Sequence, residues 1–178
     1  MTPQFQPEQA RRIAHAFQEE QVDYLFIGKS AAVLMGYPAI TQDVDVFVPR
    51  NLENSRRIVR ALRKVDFDIV PTVEQAILRG DDFVQIKGGP FDIDIIFAPD
   101  GISSFADAKS RSITLSEFKL ANLRDIIASK RATGRDKDLM DLSYLERFRQ
   151  EYEKNNPVPL KSSAEIAESE NQKRKTNS

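Results

Sequence analysis

The sequence predicts an α+β fold, with a mixed β-sheet flanked by helices and closed by a C-terminal helical pair. Three observations carry this. Short apolar runs of strand length alternate with helix-period segments as far as residue 115. Phe83–Lys87 and Phe91–Phe97 flank Gly88-Gly89-Pro90, the turn chemistry of a hairpin. Beyond residue 115 the period turns helical and holds to about Lys154, broken once at Gly134. An α/β arrangement around the same mixed sheet is the alternative at this level.

Taken in order, Pro7 to Gln21 reads as an amphipathic helix with Ala10, Ile13, Ala14 and Phe17 on one stripe. Asp23–Ile27 is a short buried strand, and Ser30–Met35 a short helix closed by Gly36. Pro38 turns the chain into a strand over Asp43–Val48, which Pro49-Arg50-Asn51 ends. Asn51 is the expected N-cap of a helix to about Lys64. A strand over Asp66–Val70 and a helix over Val73–Leu78 precede the hairpin. After Pro99-Asp100-Gly101 come a short helical piece and a brief strand over Ser112–Leu115. Ser116 is the expected cap of a long helix to Thr133, and a second helix runs from Asp136 to Lys154. The division is then a core over 1–115, C-terminal helices packed on it over 116–154, and a tail over 155–178. That tail, rich in Ser, Glu and Lys without apolar periodicity, reads as disordered.

Composition removes several kinds of chemistry. With no cysteine among 178 residues, disulfides and thiolate metal sites are excluded. One histidine, His15, argues against a His-ligated zinc or a His-dependent triad, and its place among apolar helix positions suits packing or surface. A metal here needs oxygen ligands, which favours magnesium or manganese. The net charge of -1 requires a nucleic-acid partner to find a local basic patch. Two candidates exist: Arg56, Arg57, Arg60, Arg63 and Lys64, which a solvated helix face explains, and Lys130, Arg131, Arg135 and Lys137. With no stretch able to cross a bilayer and no signal-peptide core, cytoplasmic residence without a membrane partner is the expectation.

The chemistry concentrates around Asp43-Val44-Asp45. Strand alternation puts both carboxylates on one face, about 7 Å apart, and Val44 and Val46 on the other. Two acids in an apolar strand repel each other, so they ask for a cation. Asp92 and Asp94 repeat the pattern. If their strand lies beside Asp43–Val48, one of them completes a three-carboxylate metal site; Asp94 is preferred because it sits deeper in the apolar run. Such a set suits two-metal phosphoryl transfer. Gly28-Lys29-Ser30, between strand and helix, offers backbone N–H groups, a charge and a hydroxyl to a phosphate. It is not a P-loop, because Asp23 stands where that motif needs glycine. In Arg135-x-Lys137-Asp138-x-x-Asp141, the two acids share a helix face and can fix Arg135 or Lys137 while a cation reaches a triphosphate. The phenylalanines at 26, 47, 67, 83, 91 and 97 fall in predicted strands and are assigned to the core.

Together these residues resemble the nucleotidyltransferase superfamily related to DNA polymerase β. Its signature of a glycine-led turn, a helix, an Asp-x-Asp strand and a later carboxylate is met by Gly28, Asp43 with Asp45, and Asp94. Within it the chain most resembles small bacterial proteins of the abortive-infection toxin type (AbiEii-like), through Asp125-Ile-Ile-Ala-Ser-Lys130 and Arg135-x-Lys137-Asp138-x-x-Asp141. The resemblance covers about residues 22 to 145. It implies a nucleotidyltransferase fold and magnesium-dependent (or manganese-dependent) transfer of a nucleoside monophosphate from an NTP. The implied acceptors are a tRNA-like RNA or a protein hydroxyl, in a toxin with a cognate antitoxin. It also implies that Asp43, Asp45 and Asp94 hold metal, that Gly28, Lys29 and Ser30 hold phosphate oxygens, and that Lys130 and Lys137 neutralise the leaving pyrophosphate. One departure is Lys29, where the family has Gly or Ser; it either blocks close approach of a phosphate or adds charge to it. A catalytically inactive binding module on the same fold, acting as antitoxin or partner, is the alternative function. An RNA-binding accessory protein using Arg56–Lys64 is a third.

Overall fold

The computed structural model describes residues 4–156 and 175. Helix α1 (Pro7–Glu19) buries the predicted stripe of Ala10, Ile13, Ala14 and Phe17, leaving His15 exposed. Strand β1 (Leu25–Ile27) leads directly into α2 (Gly28–Leu34), so the helix begins at the glycine itself. Strand β2 (Asp43–Phe47) follows, and α3 (Leu52–Lys64) starts at Asn51, whose side chain accepts the Asn54 N–H. Helix α4 (Pro71–Arg79), strands β3 (Phe83–Ile86) and β4 (Asp92–Ile96), and helix α5 (Phe105–Ser110) come next. Strands β5 (Ile113–Leu115) and β6 (Phe118–Leu120) precede α6 (Leu123–Thr133) and α7 (Asp136–Asn155).

The six strands form one mixed sheet in the order β3-β4-β2-β1-β6-β5. β2 runs parallel to β4 and antiparallel to β1, and β1 is parallel to β6. Central β1, β2 and β4 contribute fully buried Phe26, Val44, Val46, Ile93 and Ile95 to a core shared with α1, α3 and α6. The fold class read from the sequence, with its mixed sheet, flanking helices and C-terminal helix pair, is the one observed.

Two expected elements differ. Asp66–Val70 keeps the burial alternation of a strand, with Phe67 and Ile69 buried, but belongs to no ladder. Asp66 takes a left-handed φ of 67° just after α3, and Arg63 donates to the Ile69 carbonyl. The segment is an extended link from α3 to α4. Ser116 does not cap a helix either. With φ 55° it forms, with Glu117, the two-residue turn between β5 and β6, and Ser116 bonds the Glu117 carboxylate. The sheet therefore takes in residues up to 120. Asn122 caps α6 instead, accepting the Asp125 N–H at 2.9 Å. Gly134, at φ 65°, closes α6 as expected. The reading of the tail as disordered concerns residues 155–178, of which all but 155, 156 and 175 lie outside the described ones.

Candidate active site

Register decides what β2 and β4 present together. Their parallel pairing sets Asp43 opposite Asp92 and Asp45 opposite Asp94, so the side chains of all four start from one face. Asp43, Asp45 and Asp94 line a cleft of about 670 Å³, and Asp92 does not. The floor is the β3–β4–β2 face; one wall is the β1–α2 turn, with Gly28 and Lys29. The other wall is built from α6 and the start of α7, with Ser129, Lys130, Thr133, Arg135, Lys137, Asp138 and Asp141.

Gly28 occupies the closest approach in the site. Its φ is +69°, and a Cβ there would stand 2.6 Å from Asp45 Oδ2. Both conditions admit glycine alone. Ser30 lies elsewhere than the sequence reading placed it. It is wholly buried and does not line the cleft. Its hydroxyl donates to the Ile27 carbonyl at 3.1 Å and accepts the Asp45 N–H at 3.2 Å. The serine thus pins β2 to the β1–α2 turn, and its hydroxyl is committed there instead of to a phosphate.

Lys29 turns toward α7 and pairs with Asp141 at 2.9 Å. Lys130 lies between Asp138 at 3.3 Å and Asp141 at 3.8 Å, and Arg135 closes the chain on Asp138 at 2.6 Å. The two acids, expected to hold Arg135 or Lys137, hold Arg135, Lys130 and Lys29. Lys137 makes no ion pair with a described residue. Burial pushes the Asp138 carboxyl up, but the Arg135 hydrogen bond and Lys130 outweigh it and leave the group below its ordinary value.

The floor carboxylates are displaced the other way. Burial, Asp94 and Asp43 hold Asp45 well above its ordinary value, against the pull of Lys130. Burial and Asp43 push Asp94 up to about 6, although interactions with Asp45 and Gln85 draw it back. Asp94 Oδ1 is also buried with no hydrogen-bond partner. An orphaned oxygen beside Asp45 and Asp43 is a donor that a divalent cation would satisfy. Among the described residues no group of three such side chains is arranged to hold a metal ion.

A pH dependence follows. A carboxyl whose folded value is about 6 and whose unfolded value is about 3.9 favours the native state in its protonated form. Its cost is absent below about pH 4, grows between pH 4 and 6, and is complete above that. With divalent ions chelated, the stability advantage of Asp94→Asn over the parent should widen across that window to on the order of 3 kcal/mol. Urea unfolding at pH 4.5 and pH 7.5 checks this, and a constant gap would refute it.

Other lining residues escaped the sequence reading. Phe83, assigned to the core, is 54% exposed and lines the cleft, because strand alternation sets it with Gln85 on the face of Asp94, which is open, while Val84 and Ile86 are buried on the other. The other five phenylalanines are buried. Gln85 pairs in register with Asp94, a neighbourhood no local signal reveals. On the arginine-rich α3, Arg57, Arg60, Arg63 and Lys64 face Glu53, Glu20 and Glu74, as a salt-bridged surface would.

Solved structures share this architecture. The chain superposes on JHP933 of Helicobacter pylori (TM-score 0.51, 16% identity, 82% of this chain and 66% of that one). It superposes equally on an H. pylori protein described as a "putative nucleotidyltransferase" (0.51, 16%, 82% and 68%). TM1012 of Thermotoga maritima, described in the same words, gives 0.50 at 15% identity over 82% and 96%. The fold is the nucleotidyltransferase fold. At these identities the likeness is one of fold alone, and the chain spans about two thirds of each H. pylori protein. No family model and no curated protein matches the sequence. No helix among the described residues is long and apolar enough to cross a membrane.

Proposed function

We propose that this chain is a magnesium-dependent nucleotidyltransferase that moves a nucleoside monophosphate from an NTP to a hydroxyl. The observation that carries the proposal is the Asp94 oxygen, buried and unpartnered, in register with Asp45 on a cleft whose opposite wall is cationic. Asp43, Asp45 and Asp94 would hold the cation, or manganese in its place, and when bound it neutralises charge on the transferring phosphoryl group. The β1–α2 turn, with the Gly28 backbone and Lys29, receives phosphate oxygens. Lys130, Arg135 and Lys137 face the charge of the departing pyrophosphate, and Asp138 and Asp141 fix the first two. The acceptor oxygen attacks the α-phosphorus, the bond to the bridging β-phosphate oxygen breaks, and the acceptor proton passes to a carboxylate, the role assigned to Asp94.

The same segment, Asp125 to Asp141, supports the narrower proposal of a toxin of the abortive-infection type, with a tRNA-like RNA or a protein as acceptor and a cognate antitoxin. The test is incubation of the purified chain with each α-labelled NTP, magnesium and a cell extract. Covalent label in one RNA or protein species, lost on chelation, is the expected result. No label with any of the four NTPs, together with no magnesium-dependent NTP binding by calorimetry, overturns the proposal in favour of an inactive module.

A further inference from the structure

Helix α7 is apolar on two sides, and packing accounts for one. Leu145 is fully buried, Leu142, Phe148 and Tyr152 pack against the core, and Phe148 meets Tyr37 in a tilted contact with ring centroids 5.4 Å apart. The outward side carries Met140 and Tyr144, 75% and 64% exposed. Lys137, Met140, Tyr144 and Arg147 are spaced by three, four and three residues, which sets them on one face over about 15 Å of helix. The charges on that face are unusual for this molecule. Arg149 and Lys154 are tied to Glu146, Glu153 and Glu151, whereas Lys137 and Arg147 make no ion pair with a described residue. Three acids border the strip: Asp136 in the first turn, Asp141, which is taken by Lys29 and Lys130, and Glu151, which is taken by Lys154. The cations of α3 are largely neutralised by neighbouring glutamates. Lys137 also lines the cleft, so the strip starts at its mouth.

We infer that this face of α7 binds a single-stranded nucleic acid whose end enters the cleft as the acceptor. Cations that pair with no described residue, on either side of an exposed aromatic and a thioether, match what such a strand presents: phosphates at intervals, with bases between them that stack on any flat or polarisable surface. An acidic peptide would use the cations but leave Tyr144 and Met140 unexplained. The inference rests on reading the cleft as a nucleotidyl-transfer site, and it specifies the class of acceptor.

Binding is measured by fluorescence anisotropy with labelled oligouridylate and oligothymidylate of twelve nucleotides, on the full chain, from low to moderate salt. Tyr144→Ala should weaken binding about tenfold or more without changing the salt slope, and Tyr144→Phe should restore it. Arg147→Ala should reduce the slope of log affinity against log salt by about 0.7. Neither substitution should alter magnesium-dependent NTP binding, which shows the variants folded. A preference between the two oligonucleotides tells RNA from DNA. The inference is overturned if neither oligonucleotide binds at low salt, if both variants bind like the parent, or if oligoglutamate of equal charge competes as well as the strand does. Oligonucleotide binding in a chain that never labels an acceptor would refute the transfer reading and leave the strip standing. Labelling without oligonucleotide binding would do the reverse.

Discussion

Asp45→Asn should lower nucleotidyl transfer about a thousandfold, the equivalent of roughly 4 kcal/mol of transition-state stabilisation, while making the metal-free protein more stable at neutral pH. The two signs have one cause. Asp45 lies between Asp43 and Asp94 in a partly buried row, and burial together with those two charges disfavours its ionised form. An amide of the same shape keeps the packing and the Ser30-to-Asp45 backbone bond, and it removes the central charge. The gain should appear as a higher Tm for the metal-free variant than for the metal-free parent at neutral pH. Magnesium should raise the Tm of the parent and not of the variant. Thermal unfolding with and without magnesium, run beside the labelling assay, reads all three effects. A variant that lost activity and stability together would point to a damaged fold, and full activity would remove Asp45 from the site.

Gly28→Ala should damage the cleft itself through a single methyl group. It forces a β-carbon into a left-handed backbone at a cost of about 1–2 kcal/mol, and it places that carbon 2.6 Å from Asp45 Oδ2. Asp45 cannot retreat freely, because its backbone is held to Ser30 and to both neighbouring strands. The expected outcome is a loss of at least about 2 kcal/mol with activity abolished. Gly88→Ala is the control: its φ is +81° with open space around it, so it carries the conformational cost without the collision. Denaturant unfolding of the two variants separates the terms. Equal losses would mean that the contact with Asp45 relaxes easily.

What was legible in the sequence is what local chemistry determines. The Asp43-Val44-Asp45 strand, the Asn51 cap, the glycine hairpin and the Gly134 break each rest on neighbours within a few residues, and all stand in the structure. The preference for Asp94 over Asp92 rests on depth in an apolar run; Asp94 lines the cleft and Asp92 does not, although the register sets both opposite a β2 carboxylate. Pairing over long distances was not legible. Phe118 and Leu120 form a strand only because β1 is free to receive them, so the preceding Ser116 looked like a cap. Phe83 looked like core because nothing in its own segment marks which face of β3 is open. Lys29 reads locally either as an obstruction or as added charge, and its partner Asp141 lies on α7, far along the chain. Ser30 had the right residue type in the right turn, yet burial spends its hydroxyl on the backbone.

The parallel pairing of β2 with β4 carries a consequence for how the molecule folds. Asp45 and Asp94 meet only after the chain has passed through α3, α4 and β3, so their contact is non-local and its loop-closure entropy is lost before any apolar gain arrives. The same step brings like charges together. The pairing that builds the cleft is therefore the part of the folding route least helped by local structure.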